Sequence, residues 1–342
     1  MAVLVTGGAG YIGSHTCLEL LQAGCDIVVI DNFMNSSVEV VHRIRKLSGE
    51  NFQFYNMNLL DRDHLEQIFQ KNKIEACIHF AGVKAVGESV RFPLLYYKQN
   101  LFSTINLCRV MQKYGVKNLI FSSSATVYGS PEKSPITEDH VLHATNPYGR
   151  TKWMIEELLK DLSLSDQDWS ITILRYFNPI GAHESGEIGE DPKGMPNNLM
   201  PFVTRVAAGE YPMLEIFGDQ YPTKDGTCIR DYIHVVDLAC GHLKALEKTI
   251  SARGVDIYNL GTGQGYSVLE LVNTFEAVTG MEIPYQISKP RAGDVAICYA
   301  DVTKAERELG WRAVRGIEEM CRDSWNWQSK NPIGYCSEVK TL

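Results

Sequence analysis

The stretch that decides the fold is Thr6-Gly7-Gly8-Ala9-Gly10-Tyr11-Ile12-Gly13. It follows the short apolar run Val3-Leu4-Val5 and opens a segment with helical spacing over residues 12–23, stopped by Gly24. Gly8-x-Gly10-x-x-Gly13 after a strand and before a helix is a dinucleotide fingerprint. Its glycines let the backbone approach a pyrophosphate, and the helix N-terminus stabilises the negative charge. Gly7, Gly10 and Gly13 are therefore candidate cofactor contacts.

Working outward, Ile27-Val28-Val29-Ile30 is a second buried strand ending at Asp31. A carboxylate there accepts hydrogen bonds from a ribose diol and repels a 2′-phosphate, and no arginine lies between Asn32 and Val41. NAD is expected rather than NADP. Ala76–Phe80, Asn118–Phe121 and Ile171–Tyr176 are further strands, with helical patterns near 61–71 and 100–114. This alternation predicts an α/β fold built on a doubly wound parallel Rossmann sheet. After residue 178 the texture changes. Residues 179–198 read as a long functional loop, followed by shorter helix and strand signals at 200–208, 214–217, 235–248 and 267–279. The expected division is 1–178 for a NAD-binding domain and 179–342 for a smaller substrate-binding domain, with part of 231–262 packing back on the first.

Composition narrows the partners. The chain has 342 residues, 33 basic and 41 acidic, for a net charge of −8. Such a balance argues against nucleic acid or an anionic membrane. Nine cysteines without a C-x-x-C pair suit reduced thiols in a cytoplasmic setting, and Cys17, Cys77 and Cys240 read as core residues. No signal peptide, membrane-length apolar run or metal-ligand spacing is visible, and no metal is expected.

Tyr148-Gly149-Arg150-Thr151-Lys152 is the chemical counterpart of the glycine turn. Asn146-Pro147 is a helix entry signal, and residues four apart on a helix share a face, so Lys152 lies beside Tyr148. A free phenol has a pKa of about 10. A lysine ammonium and a cationic nicotinamide ring would both favour phenolate, making Tyr148 a usable general base. Ser122-Ser123-Ser124 follows the strand 118–121, and Ser124 would orient a substrate hydroxyl or relay its proton. Tyr285-Gln286-Ile287-Ser288-Lys289 also matches Tyr-x-x-x-Lys, but it follows Pro284 in a predicted strand, where four residues span about 13 Å, and its tyrosine is read as packing.

These residues resemble the extended short-chain dehydrogenase/reductase superfamily, and within it the UDP-glucose 4-epimerase family. The resemblance runs from Met1 to about Pro332. Its most specific stretches are His79–Ser89, Ser122–Gly129, Arg175–Pro179, Gly189–Pro192, Asn197–Pro201 and Arg230–Val235. It implies that Tyr148 takes the proton from the sugar 4-hydroxyl while C4 gives hydride to NAD. The 4-keto sugar turns over and hydride returns to its opposite face, so NAD stays bound. It further implies a homodimer through helices near 93–114 and 147–162, and a role in galactose metabolism.

Around NAD the resemblance implies Tyr11, Ile12, Asp31, Asn32, Asn35, Ser36, Asn58, Leu59, Phe80, Ala81, Gly82, Lys84, Ser124, Tyr148, Lys152 and Phe177. Around the UDP-sugar it implies Lys84, Ser124, Tyr148, Asn178, Asn198, Leu199, Glu215, Ile216, Phe217, Arg230, Arg291, Asp294 and Cys298. Paired charge-assisted bonds from Arg230 and Arg291 suit phosphate oxygens. Two positions depart from the family: Asn58 stands where an acid is frequent, and Gln99 where some relatives have asparagine. Cys298 falls at a position thought to gate the sugar's 2-substituent. A small residue there implies turnover of the N-acetylated pair as well, unless neighbouring Tyr299 faces the sugar instead. Three rivals share the machinery. A 4,6-dehydratase would need carboxylates after Ser124, where Ala125-Thr126 stand. A dehydrogenase would release NADH, and a sensing scaffold would bind NAD without turnover.

Overall fold

Val3, Leu4 and Val5 are fully buried because the strand they form is central in a sheet covered on both faces. The structure is a computed structural model that describes residues 2–131, 133–291 and 294–335. Its first half runs β1 (Ala2–Thr6), α1 (Tyr11–Gln22), β2 (Asp26–Asp31), α2 (Val38–Ser48), β3 (Gln53–Asn56), α3 (Arg62–Lys71), β4 (Ile74–His79), α4 (Val86–Arg91), α5 (Pro93–Tyr97), a π-helical turn (Lys98–Phe102), α6 (Ser103–Lys113), β5 (Asn118–Ser124), a 3-10 turn (Ala125–Tyr128), α7 (Pro147–Ser165) and β6 (Ser170–Tyr176). The second half runs β7 (Asn178–Ile180), α8 (Leu199–Ala207), β8 (Leu214–Phe217), β9 (Ile229–Arg230), β10 (Tyr232–His234), α9 (Val235–Ser251), β11 (Gly254–Leu260), β12 (Tyr266–Ser267), α10 (Val268–Thr279), β13 (Tyr285–Ser288), β14 (Ile297–Cys298), α11 (Thr303–Leu309) and α12 (Ile317–Lys330).

Seven parallel strands form the main sheet in the order β11-β6-β5-β4-β1-β2-β3. Side chains alternate across it. Val3, Val5, Ile27 and Val29 face one core with residues of α1, α2 and α9, while Leu4, Val28 and Ile30 face another with residues of α3, α6 and α7. This is the doubly wound sheet that the strand–helix alternation predicts. The strand order reverses between β1 and β4, so their C-terminal ends diverge and leave a crevice. A late segment returns to complete the sheet: β11 pairs with β6, and α9 packs on α1. A third core gathers α8, β8, α10 and α12 beside the crevice. Three small sheets, β7–β10, β12–β9–β14 and β8–β13, position loops there.

Two expectations change. The helix predicted near 100–114 begins as a π-turn, which rotates Asn100 into the interior. Tyr285 does lie on a strand, but it is 47% exposed and does not pack, because β13 is the edge of a two-stranded sheet. The eight described cysteines are free thiols, with Cys17 and Cys77 buried and Cys240 half-buried; Cys336 lies outside the described residues.

Beneath the crevice lies a buried ion pair. Arg175 on β6 donates Nε to Glu156 Oε1 at 3.1 Å and Nη2 to Oε2 at 2.6 Å. Ser123 Oγ donates to the same Oε1 at 2.5 Å, so Glu156 ties β5 and β6 to α7. Arg175 also donates to Tyr128 Oη at 2.9 Å, which donates to Asn259 Oδ1 at 2.7 Å. Removing one member of a buried pair strands the other charge. Glu156→Ala should therefore lower stability by about 3–5 kcal/mol, read as a reduced urea midpoint against wild type; an unchanged midpoint would show that Arg175 finds full compensation elsewhere.

Candidate active site

The turn after β1 is built for close approach. Gly7 takes φ +71°, and a Cβ on it would stand 2.8 Å from the Ala81 nitrogen in the loop after β4. Thr6 Oγ1 lies 2.7 Å from His79 Nδ1 and accepts from Ala81 N at 3.4 Å, joining the two strand ends. Gly10 caps α1 without a side-chain bond, so the first-turn N–H groups of Tyr11, Ile12 and Gly13 face the crevice without intrahelical partners. Asp31, at the tip of β2, is nearly buried. Its carboxylate accepts from Ala9 N (3.0 Å), Phe33 N (2.9 Å) and Ser36 Oγ (2.8 Å). A carboxylate offers about four acceptor sites, so one remains for a ribose hydroxyl. The cradle and the donor set fit a dinucleotide.

The other cofactor candidates sit in the segments that follow β2, β3, β4 and β6. Asn32 and Asn35 sit in the β2–α2 loop, where Asn35 Oδ1 accepts from Lys193 N at 3.4 Å. Asn58 Oδ1 accepts from Leu60 N at 3.0 Å, leaving its amide N–H as the group free to face a ligand. Leu59 is a core residue, 4% exposed, so only its backbone is available. Phe80, Ala81 and Gly82 form the loop after β4, and Phe177 is buried with Val127 and Tyr128.

Tyr148 and Lys152 share one face of α7. Asn146 caps that helix by accepting from Gly149 N at 2.9 Å, with Pro147 in its first turn. Lys152 Nζ lies 6.0 Å from the Tyr148 ring centroid and donates to Ser122 O at 2.6 Å. Ser124 Oγ accepts from Thr126 N (3.2 Å) and Thr126 Oγ1 (2.9 Å), which leaves its own proton to donate. Burial pushes the Tyr148 phenol up to about 12, against an opposing pull from the Ser124 hydroxyl. Burial lowers Lys152 to about 8, with Glu156 acting the other way. The expected phenolate rests on a cationic nicotinamide ring as well as the lysine; in the chain alone burial is the largest influence on the phenol, and a further positive charge beside the ring would favour the phenolate.

Of the residues expected around the sugar nucleotide, Arg230, Asp294, Arg291 and Phe217 form one chain of contacts. Arg230 on β9 donates to Ile229 O (2.8 Å) and Val295 O (2.7 Å) and lies 3.6 Å from Asp294. Arg291 bonds Asp294 at 3.1 Å and stacks 4.5 Å from the Phe217 ring centroid. Ala292 and Gly293 of this segment lie outside the described residues. Glu215 is exposed, whereas Ile216 is 2% exposed in the third core and can contribute only backbone. Asn178 starts β7, and Asn198 and Leu199 open α8. Cys298 on β14 pairs in register with Arg230 and packs beside Phe177 and Ala300, while Tyr299 turns toward Gly265.

Three residues were not singled out from the sequence, although Glu190 and Asp231 fall in stretches that carry the resemblance. Asn100 donates to Thr151 Oγ1 (2.9 Å) and Val83 O (3.1 Å), and Thr151 in turn donates to Tyr148 O at 2.7 Å. Asp231, fully buried, accepts from Thr262 N, Gly263 N and Ala300 N and so fixes the strand of Arg230. Glu190 accepts from Lys84 at 3.1 Å and Asn198 at 2.9 Å. Each of these roles depends on contacts far apart in the chain.

Comparisons with known proteins agree with this geometry. Residues 4–324 match the family model described as GDP-mannose 4,6 dehydratase. The chain is 62% identical to a UDP-glucose 4-epimerase of Bacillus subtilis over 98% of this chain and 99% of that one. The crystal structure of a UDP-glucose 4-epimerase from Bifidobacterium longum, in complex with NAD+ and UDP, superposes with a TM-score of 0.95 at 52% identity, covering 98% of this chain and 100% of the other. The UDP-Glc/GlcNAc 4-epimerase of Campylobacter jejuni has a TM-score of 0.85 at 35% identity, over 96% and 99% of the two chains. With a glycine-cradled dinucleotide crevice, a Tyr148–Lys152 helix face and relatives of this closeness along their whole length, the chain belongs to the UDP-glucose 4-epimerase family of extended short-chain dehydrogenases/reductases.

Proposed function

We propose that the protein is an NAD-dependent isomerase that interconverts UDP-galactose and UDP-glucose at C4, within galactose metabolism. The observation that supports this reading best is that Tyr148 and Lys152 share a face of α7, with Ser124 at the end of β5 and the glycine turn at the end of β1, all following parallel strands of one sheet. Residues 1–178 hold NAD and residues 179–342 hold the UDP-sugar, with part of 231–262 returning to the main sheet. Gly7–Gly13, Asp31, the 80–84 loop and Lys152 embrace the dinucleotide. Asn178, Asn198, Leu199, Phe217, Arg230, Arg291 and Asp294 embrace the nucleotide sugar.

When bound, NAD supplies a hydride acceptor and donor and a positive ring. Tyr148 takes the 4-hydroxyl proton and later returns it, while Ser124 donates to the sugar oxygen and orients it. Lys152, with its ammonium held on Ser122 O, keeps positive charge near the phenol. The bare chain has the order of titration reversed, lysine near 8 and tyrosine near 12. The cationic ring therefore matters to the base as well as to the redox step. A dehydratase reading lacks carboxylates after Ser124, where Ala125 and Thr126 form the 3-10 turn.

Purified protein given UDP-galactose without added NAD should yield UDP-glucose and no net NADH. Tyr148→Phe should lower turnover by about 10²-fold or more with NAD retained, the scale of general acid–base catalysis. Lys152→Ala removes a charge that favours phenolate, so turnover should fall and the rising limb of the pH–rate profile should move to higher pH. Near-wild-type turnover in Tyr148→Phe would remove the phenol from the mechanism.

The substrate range includes the N-acetylated pair. What supports this reading is that Cys298 is half-buried against the cluster containing Phe177 and pairs in register with Arg230, while the Tyr299 ring lies beside Gly265. A tight pocket yields poorly to extra atoms. Cys298→Tyr should abolish interconversion of UDP-N-acetylglucosamine and UDP-N-acetylgalactosamine while sparing UDP-galactose, measured by product chromatography. Equal loss on both pairs would end the gate assignment.

A cytoplasmic homodimer completes the reading. Val90 (62%), Phe92 (57%), Leu94 (82%) and Phe102 (56%) expose apolar surface on and beside α4 and α5, and Met154 (49%) does so on α7. An apolar patch of this kind marks an interface, and the eight free thiols among the described residues suit a reducing compartment. Sedimentation equilibrium should give a dimer for wild type and a monomer for Leu94→Asp; a monomeric wild type would refute the assembly.

A further inference from the structure

Glu190 sits in the long loop between β7 and α8, and its backbone is clamped. Tyr335 Oη accepts from Gly189 N at 2.9 Å and lies 3.0 Å from Gly189 O, and Trp327 Nε1 donates to Glu190 O at 3.2 Å. The side chain is 9% exposed. One carboxylate oxygen, Oε1, accepts from Lys84 Nζ at 3.1 Å and from Asn198 Nδ2 at 2.9 Å. Lys84 belongs to the loop after β4 on the cofactor side. Asn198 is the residue that opens α8 on the sugar-nucleotide side.

An asparagine at a helix N-cap ordinarily folds its side-chain oxygen onto an N–H two or three residues ahead. In α8 the third helical residue is Pro201, which has no N–H, so Met200 N–H is the available target. Asn198 makes no such bond. Its amide is drawn to Glu190 instead. The N–H groups of Leu199 and Met200 are left without intrahelical partners, at a helix end that carries partial positive charge. A carboxylate near a diphosphate would by itself repel it, but Lys84 offsets that charge.

We propose that Glu190 is a positioning residue that holds Asn198 off its own helix and so keeps the N-terminus of α8 open for the substrate diphosphate. Through Lys84 the same carboxylate ties that opening to the cofactor-side loop. The inference rests on the UDP-sugar reading above and extends it to a residue that does not itself touch the reacting atoms. Without Glu190 the Asn198 oxygen turns to Met200 N–H and closes the helix end.

The test uses the NAD-loaded enzyme, with UDP titrated by calorimetry and UDP-galactose turnover followed in parallel. Glu190→Ala should weaken UDP binding and raise KM by about tenfold, the size of one helix-cap interaction, with kcat within about twofold of wild type. Glu190→Gln keeps an oxygen that can accept from the Asn198 amide, so UDP binding should stay within about threefold. In the Glu190→Ala background, adding Asn198→Ala removes the oxygen that would cap Met200 N–H, so UDP binding should recover rather than fall further. If Glu190→Ala does not fold, Glu190→Met, similar in volume, carries the same expectations. Unchanged UDP affinity in the alanine or methionine variant would overturn the proposal. Equal loss in the glutamine variant, or additive loss in the double variant, would do so too. A wild-type enzyme that fails to convert UDP-galactose sinks the broader reading; one that converts it while Glu190→Ala binds UDP normally sinks this inference alone.

Discussion

Everything at the active site depends on how closely two strand ends can approach. The turn after β1 and the loop after β4 diverge from neighbouring strands, yet Gly7 and Ala81 must come within contact for the crevice floor to close. A left-handed φ and a missing side chain at Gly7 permit it. The same approach aims the open end of α1 into the crevice and sets Asp31 at its edge. From there β5 and α7 bring Ser124, Tyr148 and Lys152 to the same side of the sheet.

Burial then governs the chemistry. The site's tyrosine and lysine are shifted in opposite directions by the same cause, loss of water, and each shift favours the uncharged form. The ion pair of Glu156 with Arg175 lies directly below and orients the strand and helix that carry these groups. Several cations are balanced within the protein: Asp294 pairs with Arg230 and Arg291, and Glu190 pairs with Lys84 of the loop after β4. A chain with a net charge of −8 thereby keeps local donors for an anionic ligand, arranged by carboxylates that also set their geometry.

Much of this was legible in the sequence because it is local. A glycine turn, an acid at a strand tip and a tyrosine four residues before a lysine are short patterns whose spacing fixes their geometry on a strand or helix. The parallel sheet followed from apolar runs alternating with helical periods, and the cap at Asn146-Pro147 located α7. The π-turn escaped because one added residue leaves the apolar period of the helix almost intact. Tyr285 was misread because exposure on an edge strand depends on which strands lie beside it.

The sequence by itself thus determined the sheet, the cofactor turn and the tyrosine–lysine pair, since each is set by neighbours within one element. Only the tertiary structure decided the direction of the Tyr148 shift, the packing of Cys298 against the Val127–Tyr128 cluster, the burial of Ile216 and the hold of Glu190 on Lys84 and Asn198. Those depend on desolvation and on contacts between segments far apart in the chain, which no local pattern of residues encodes.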